Sequence, residues 1–282
     1  MAAAFLRALS AHEERPGRRG PDYLAEIFLP RERRDLLRDA RTRDWVLNNK
    51  VDAGSYALLV ARTAFFDKIV ADWLASGRPQ VVFLGAGYDT RPYRFGGVNH
   101  GTRLFEVDAR PTQDYKRQLL KRESISIPPE VTYVGVDFEA GELLEALLDN
   151  GFDRKKTALF IWEGVTYYLT PTGVDDTLNC IRTNSPAGSP VCFDFASVPA
   201  DPSADLDAAR RRARMRSRYP GEPTRFGIRE GELDSFLSKR GFSLVEELSA
   251  HDMDQRYLTS EDGMSIGPVP TTFHIAYAMV SS

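Results

Sequence analysis

Cysteine and histidine are scarce in this sequence. Cys180 and Cys192 are the two cysteines among 282 residues, and their spacing is not that of a zinc knuckle. We therefore expect neither a disulfide framework nor a structural zinc site, and we expect reduced thiols in a cytoplasmic protein. The four histidines form no HxxxH pair and have no second ligand beside them, so the sequence predicts no metal site.

Long apolar runs are absent as well. No stretch approaches the roughly 20 consecutive apolar residues that a membrane-spanning helix needs. Arg7 interrupts the N-terminal run MAAAFLRAL before an apolar region of signal-peptide length develops, which predicts no secretory signal. Hydrophobic residues still make up 42% of the chain, enough for a sizeable core. These features predict a globular protein without a membrane partner.

The sequence has no dominant charge of one sign and lacks two common catalytic motifs. The formal net charge is -3, and the densest basic run, RRRARMRSR at residues 210–218, is more typical of a solvated or lid helix than of a nucleic-acid arm. We expect no nucleic-acid partner, and the oligomeric state stays open. No GxSxG elbow and no Walker-type GK[ST] occurs, which argues against a serine hydrolase and a P-loop NTPase.

Short apolar runs alternate with amphipathic stretches along the chain. The runs predict strands at Gln80–Leu84, Arg103–Val107, Val131–Val136, Thr157–Trp162, Val191–Phe195, Ser243–Glu247 and Thr272–Met279. Helical spacing predicts helices at Ala53–Trp73, Gln113–Glu123, Gly141–Leu148, Pro171–Arg182 and Glu230–Lys239. Residues before Ala53 read as polar and irregular, with short helices around Pro30. This alternation predicts an α/β fold, a doubly wound and mostly parallel sheet.

A glycine turn follows the first predicted strand. Gly85-Ala86-Gly87 comes directly after QVVFL, and Asp108 follows the next strand about twenty positions on, the spacing of a ribose ligand. Asp108 could alternatively be a helix N-cap. The third glycine of a dinucleotide fingerprint is missing, and Asp89 is acidic. This argues against NAD and for a cofactor without phosphates, such as S-adenosylmethionine; a NAD-type oxidoreductase remains the first alternative.

Polar residues follow two further strands at the same predicted sheet edge. Asp137 and Phe138 suit the amino group and the flat face of an adenine. Glu163, followed by Gly164, suits a cationic group, or else a structural partner such as Arg62 or a helix end. Arg62 itself could bind a carboxylate as a fork, or form a surface salt bridge.

These motifs together resemble the leucine carboxyl methyltransferase family. The segments that carry the resemblance are VVFLGAGYDTRPYR, LFEVDARPTQDYKR, VGVDF and LFIWEGVTYYLT. The family includes the methyltransferase of a phosphatase C-terminal leucine, and relatives that methylate polyketides and other small molecules. The resemblance covers about Arg62 to Phe195, and more loosely Gly221 to Ile228 and the C-terminal strands. It implies a Rossmann-like, seven-stranded methyltransferase sheet with an antiparallel C-terminal strand and a helical lid insertion.

The resemblance also implies a set of contacts to S-adenosylmethionine. Arg62 would hold the carboxylate of the methionine part, and Glu163, next to Gly164, would meet its amino group. Asp108 would bind the ribose, and Asp137 with Phe138 would frame the adenine. The loop that passes under the amino acid part comprises Gly85, Ala86, Gly87 and Asp89.

The run YDTRPYR from Tyr88 to Arg94 resembles the small-molecule branch of the family. We therefore predict an O-methyltransferase that acts on a carboxylate or hydroxyl of a small molecule such as a polyketide. The alternatives are a carboxyl methyltransferase of a protein C-terminal leucine and a non-catalytic S-adenosylmethionine-binding protein. A carboxylate acceptor needs no general base, whereas a phenol would be helped by one.

Five residues are candidates for the acceptor pocket, although packing or surface charge would also explain each: Tyr167, Tyr168, Arg225, Arg256 and Tyr257. The chain is predicted to divide into a helical cap at residues 1–52, a cofactor-binding core at 53–198, a lid at 199–228 and the end of the core sheet at 229–282.

Overall fold

In the part of the chain that the structure describes, eight strands form one sheet at the centre of the molecule. A computed structural model describes residues 2–14, 19–137, 142–199, 224–259 and 265–282. The strands are β1 (Gln80–Leu84), β2 (Arg103–Asp108), β3 (Val131–Gly135), β4 (Ala158–Trp162), β5 (Pro190–Val198), β6 (Ile228–Arg229), β7 (Phe242–Leu248) and β8 (Phe273–Val280).

Strand order confirms the predicted doubly wound topology. The strands run β3-β2-β1-β4-β5-β8-β7, with short β6 beside β5. Strands β1 to β5 pair in parallel, and β8 is antiparallel to both β5 and β7. From β1 the chain adds β2 and β3 on one side of β1, and after β3 it crosses over to add β4 on the other side. The topological switch point therefore lies between β1 and β4. In open α/β sheets, ligands bind at the carboxyl ends of the strands at this point.

Helices cover the sheet and its edges. They are α1 (Ala2–Ala11), α2 (Arg31–Arg38), α3 (Ala40–Asn49), α4 (Ala53–Ala75), α5 (Arg91–Arg94), α6 (Arg110–Arg122), α7 (Leu143–Asp149), α8 (Pro171–Thr183), α9 (Leu233–Ser238) and α10 (Ala250–Met253). The predicted start of α8 is confirmed, because Thr170 accepts a hydrogen bond from the Gly173 N–H and Pro171 takes the first helical position. None of the helices in the described ranges combines the length and hydropathy needed to cross a lipid bilayer.

Both faces of the central strands are buried, which explains their unbroken apolar sequence. Along β1, Val81 and Phe83 pack with α4, whereas Val82 and Leu84 face the opposite layer. That opposite layer contains α7, α8 and α9. The central strands thus lie between two apolar layers.

Residues before Ala53 are more regular than the sequence predicted. Three helices form there, and Ala8 and Leu9 of α1 pack with Phe28 and Leu120 in a third apolar cluster. The sequence did not predict α1, because its alanines stabilise a helix only when they pack against tertiary neighbours.

One further predicted helix begins later than expected, and most of the predicted lid cannot be compared with the structure. The helix expected at Glu230–Lys239 begins only at Leu233, because Ile228–Arg229 pairs with β5 and Gly231 adopts a positive φ of 76°. Most of the predicted lid, residues 200–223, lies outside the described residues, as do Phe138 and Gly141. The division into four segments stays a prediction.

Candidate functional site

A cavity of about 380 Å³ lies at the carboxyl ends of β1 and β4. The glycine turn after β1 and the loop after β4 form its walls, and α1 and α4 contribute further side chains. The sequence-predicted residues that line it are Arg62, Gly85, Ala86, Gly87, Asp89, Glu163, Gly164, Tyr167 and Tyr168. The fold thus brings together residues that lie about a hundred positions apart in the chain.

Gly85 is required by the geometry of this turn. Its φ is +67°, and a Cβ atom there would lie 2.5 Å from Val165 Cγ2. The turn after β1 therefore packs directly against the Val165 side chain in the loop after β4. Gly87, at φ +43°, continues the left-handed path.

Replacing Gly85 with alanine is expected to lower the free energy of unfolding by about 2–4 kcal/mol, from left-handed strain plus overpacking against Val165. Urea denaturation of the two proteins measures this. Gly97→Ala is the matched control, because no atom lies within 4 Å of a Cβ built there. Equal stabilities of the two variants would show that the loops can separate at no cost.

Asp108 connects the ends of β1 and β2. Its Oδ2 accepts the Gly87 N–H at 2.6 Å, and its Oδ1 accepts the Ala109 N–H at 2.7 Å. It is not the N-cap of α6, where Ala109 takes that position. Glu106, two residues earlier, is instead internal: it is 1% exposed and pairs with Lys116 at 2.7 Å.

Asp137 follows β3 and is exposed. Neither Asp108 nor Asp137 lines the cavity itself. Asp108 ends β2 and Asp137 comes shortly after β3, and both strands lie on the same side of β1 and run parallel to it. The two carboxylates therefore extend the site along the carboxyl edge of the sheet. Three strand spacings, from β3 to β4, cover about 14 Å. The edge is therefore long enough for an extended ligand.

A chain of buried ion pairs surrounds the cavity. Arg62 pairs with Glu163 at 3.0 Å and with Asp194 at 2.7 Å, and Arg91 pairs with Glu163 at 2.7 Å and with Asp89 at 2.6 Å. Continuous pairing links four arginines to five carboxylates: Arg7, Arg62, Arg91 and Arg94 to Asp22, Asp67, Asp89, Glu163 and Asp194. Arg62 is only 6% exposed, which excludes the surface salt bridge considered from its sequence.

Three buried polar atoms, which belong to residues that line the cavity, have no hydrogen-bond partner among the described residues. They are Arg7 Nε, Arg62 Nε and Glu163 Oε1. Arg62 Nε lies 3.0 Å from Glu163 Oε1, and Arg7 Nε lies 2.9 Å from Asp22 Oδ2, but neither pair has hydrogen-bond geometry. A buried donor or acceptor without a partner costs about 1–3 kcal/mol. The two donors and the acceptor therefore suit a ligand that carries both an anionic and a cationic group.

The network also fixes protonation states. Burial by itself would raise the pKa of Glu163, but the guanidiniums of Arg91 and Arg62 outweigh burial and hold that pKa below its usual range. Burial dominates for Tyr167, and Asp194 adds to it, so the pKa of this phenol is raised. At neutral pH the cavity therefore presents a carboxylate, guanidiniums and a neutral phenol.

Sequence comparison assigns the chain to a known family. The model of the leucine carboxyl methyltransferase family matches residues 1–182. The chain belongs to this family. The predictions of a methyltransferase and of S-adenosylmethionine as its cofactor are thereby confirmed at the level of the enzyme class.

Relatives in sequence agree with this assignment, and a solved structure shares the fold. YktD of Bacillus subtilis, provisionally named an S-adenosyl-L-methionine-dependent methyltransferase, is 28% identical over 73% of this chain and 68% of its own length. A protein of Mycobacterium sp. (strain JLS) with the same provisional name is 30% identical, with 72% of each chain covered. A crystal structure from Thermobifida fusca, provisionally described as a methyltransferase, matches 99% of this chain and 94% of its own, with a TM-score of 0.61. Its sequence identity is 19%, so it shows the shared fold.

Within this methyltransferase fold, two of the five acceptor-pocket candidates line the cavity and three do not. Tyr167 and Tyr168 line the cavity, and the Arg225 N–H donates to the Tyr167 carbonyl oxygen at 2.7 Å. Arg256 is exposed and pairs with Glu246 of β7, and the Tyr257 ring packs edge-on against Phe65. The structure does not bring Arg256 or Tyr257 to the cavity.

Arg7 and Asp194 line or support the site although the sequence did not single them out. No local pattern indicates that Arg7, 55 positions before Arg62, folds back over the cavity. Asp194 carried a signal: it is a carboxylate inside the apolar strand VCFDF, where an unpaired charge would be costly. It is fully buried and accepts the Gly164 N–H at 2.6 Å.

Proposed function

We propose that this methyltransferase transfers the methyl group of S-adenosylmethionine to a carboxylate or hydroxyl oxygen of a small molecule, such as a polyketide. The observation that supports the proposal most directly is the set of three unpartnered atoms beside the glycine turn. The amino acid part of S-adenosylmethionine offers an anion and a cation to this set.

Each candidate residue then receives a role. Arg62, together with Arg7, would hold the carboxylate, because guanidinium forks suit carboxylates. Glu163 Oε1 would accept from the ammonium group, and the turn at Gly85 would allow the ligand to lie against backbone. Along the sheet edge, Asp108 would accept from the ribose hydroxyls. Asp137 would meet the adenine, together with Phe138.

Asp108→Ala is expected to weaken binding of S-adenosylhomocysteine about tenfold to hundredfold, because a charged hydrogen bond to the ribose is lost. Isothermal titration calorimetry measures the affinity, and circular dichroism checks that the fold is intact. Asp114→Ala, an exposed position on α6, is the control and should bind like the wild type. Unchanged affinity in Asp108→Ala would reject Asp108 as the ribose ligand.

Methyl transfer from the bound cofactor is an in-line displacement, for which the cofactor supplies the reactive methyl group. The protein contributes position and exclusion of water. Arg62 and Glu163 would fix one end of the ligand, and the turn at Gly85 and Ala86 would lie against it. The neutral Tyr167 hydroxyl accepts from Arg62 Nη1 at 3.3 Å, which leaves its own proton to donate to an acceptor oxygen.

The acceptor is tested with a panel of small carboxylates and phenols, incubated with the protein and S-adenosylmethionine. Mass spectrometry should detect the gain of one methyl group in at least one class. A rate that is independent of pH near neutrality would favour a carboxylate, whereas a rate that rises with pH would favour a phenol. If no member of a broad panel gains a methyl group despite tight cofactor binding, the protein is a non-catalytic binder.

The family description itself favours a second candidate, a protein C-terminal leucine carboxylate. A peptide that ends in leucine therefore belongs in the same panel, with its C-terminal amide as the control. Methylation of the free peptide but not of the amide would select this second activity.

A further inference from the structure

Arg91 lies directly behind the cavity and touches two of its carboxylates. Its Nη1 donates to Glu163 Oε2 at 2.7 Å and to Asp89 Oδ2 at 2.6 Å, while its Nε donates to Asp67 Oδ1 at 2.7 Å. The side chain is 2% exposed and does not line the cavity. A ligand in the cavity would therefore meet Arg91 only through the carboxylates that it holds.

The hydrogen bond from Arg91 makes the two carboxylate oxygens of Glu163 different from each other. Arg91 occupies Oε2, and Oε1 is the atom without a hydrogen-bond partner. Asp89 is held at both oxygens, because its Oδ1 accepts the Arg91 backbone N–H at 2.8 Å. Arg91 thus anchors Glu163 through Oε2, which leaves Oε1, 3.0 Å from Arg62 Nε, as the oxygen that a ligand could engage.

The charge state of Glu163 depends on its neighbours from every side. Cations approach it from α1, α4 and α5, and anions approach it from the turn after β1 and from β5. The charged groups are Arg7, Arg62, Arg91, Asp89 and Asp194. Arg91 is the strongest of the cations that keep the Glu163 pKa low, and without it burial and the two anions would raise that pKa.

We propose that Arg91 is a positioning residue, which holds Glu163 in the orientation and charge state that receive the ammonium group of the cofactor. The inference rests on the proposed function of the site. Arg91 is the only residue of α5 that joins Glu163 to Asp89. Loss of its charge should therefore make cofactor binding depend on the removal of a proton.

Arg94 provides a matched control on the same short helix. It is 3% exposed and pairs with Asp67 at 2.8 Å, as Arg91 does, but it has no bond to Glu163 or Asp89. A purely structural role of the buried arginines predicts similar behaviour of Arg91→Gln and Arg94→Gln. The positioning role predicts that they differ in the pH dependence of binding.

The experiment measures the dissociation constant of S-adenosylhomocysteine by calorimetry from about pH 5 to pH 7.5, with the wild-type profile as the reference for any titration of the ligand itself. Wild type and Arg94→Gln should show nearly constant affinity, because Glu163 stays ionised in both. Arg91→Gln should bind about tenfold more weakly at the acidic end than at neutral pH, since a raised carboxyl pKa couples binding to proton loss. A flat profile in Arg91→Gln, or the same slope in Arg94→Gln, would overturn the inference.

Two further variants separate charge from geometry. Arg91→Lys keeps the charge, so its profile should stay flat, but an ammonium cannot reproduce the fork, so affinity should fall at every pH. In the double variant Arg91→Gln/Glu163→Gln the slope should disappear, because the titrating group is gone. A slope that persists there would assign the proton to another carboxylate and overturn the inference.

If Arg91→Gln does not fold, Arg91→Lys against Arg94→Lys decides. Weaker binding by Arg91→Lys alone supports the positioning role, and equal affinities overturn it. Failure of the proposed function is distinct from these outcomes, since the wild type would then bind no S-adenosylhomocysteine at any pH.

Discussion

Glu163→Gln is expected to reduce the affinity for S-adenosylhomocysteine about hundredfold while the protein remains folded. The variant removes the negative charge of Glu163 and replaces one of its two oxygens with an amide nitrogen, and in the wild type Oε1 has no hydrogen-bond partner among the described residues. A hydrogen bond between charged groups contributes about 1.5–3 kcal/mol, and the lost attraction to the ammonium adds to it. Isothermal titration calorimetry near neutral pH provides the measurement.

The fold should tolerate this change because of the charge balance in the ion-pair chain. Four arginines face five carboxylates, so the loss of one carboxylate leaves four of each. Glu145→Gln, at an exposed position on α7, is the control. Wild-type affinity in Glu163→Gln would mean that Glu163 serves only as the structural partner of Arg62 and Arg91.

Lys116→Met is expected to lower the free energy of unfolding by about 3–5 kcal/mol, because it leaves the buried Glu106 carboxylate without its cation. Both side chains are 1% exposed, and Lys116 Nζ lies 2.7 Å from Glu106 Oε2. Tyr93 donates to the other oxygen of Glu106, which is not enough to replace a charge. Urea denaturation at neutral pH measures the loss.

The matched control is Lys68→Met, which removes a lysine from a solvent-exposed pair with Asp72. Exposed ion pairs contribute about 0–1 kcal/mol, so this variant should lose little stability. The double variant Lys116→Met/Glu106→Gln should recover part of the loss, since no buried charge remains. Equal losses in the two lysine variants would contradict the argument.

Acid should relieve the defect in Lys116→Met. Burial, opposed by Lys116, already raises the pKa of Glu106 above its ordinary value, and removal of the lysine raises it further. A carboxyl with a raised pKa in the folded state binds its proton more tightly there than in the unfolded chain. The penalty is therefore present at neutral pH, and it shrinks as the pH falls toward about 4.5.

The sheet could be predicted from sequence because its strands are buried on both faces. QVVFL and TALFIW read as uninterrupted apolar runs, and they form β1 and β4. Gly85 and Glu163 follow these two strands, and the carboxyl ends of parallel strands lie at the same edge of a sheet. The sequence therefore predicted that the two residues are close together. By contrast, β6 was missed: two residues carry no period, and their pairing with β5 is decided by tertiary contact.

Site residues that follow strands could be predicted from the sequence, whereas site residues on helices other than Arg62 could not. Glu163 was named with two open alternatives, and the structure places it against both the cavity and Arg62, so its cofactor role stays a proposal. Arg7 and Arg91 were not singled out, because an arginine on a helix looks the same whether it faces solvent or a buried carboxylate.

The sequence by itself determined the family, the order of the seven longer strands and of the helices between them, and the glycine turn at Gly85, because these depend on local conformation and on apolar periodicity. Only the tertiary structure decided which charges meet. Ion pairs between Arg91 and Glu163, or Arg62 and Asp194, join residues 72 and 132 positions apart. No periodicity along the chain encodes such a pairing, since it arises from side chains that the sheet and its helices bring to one buried place.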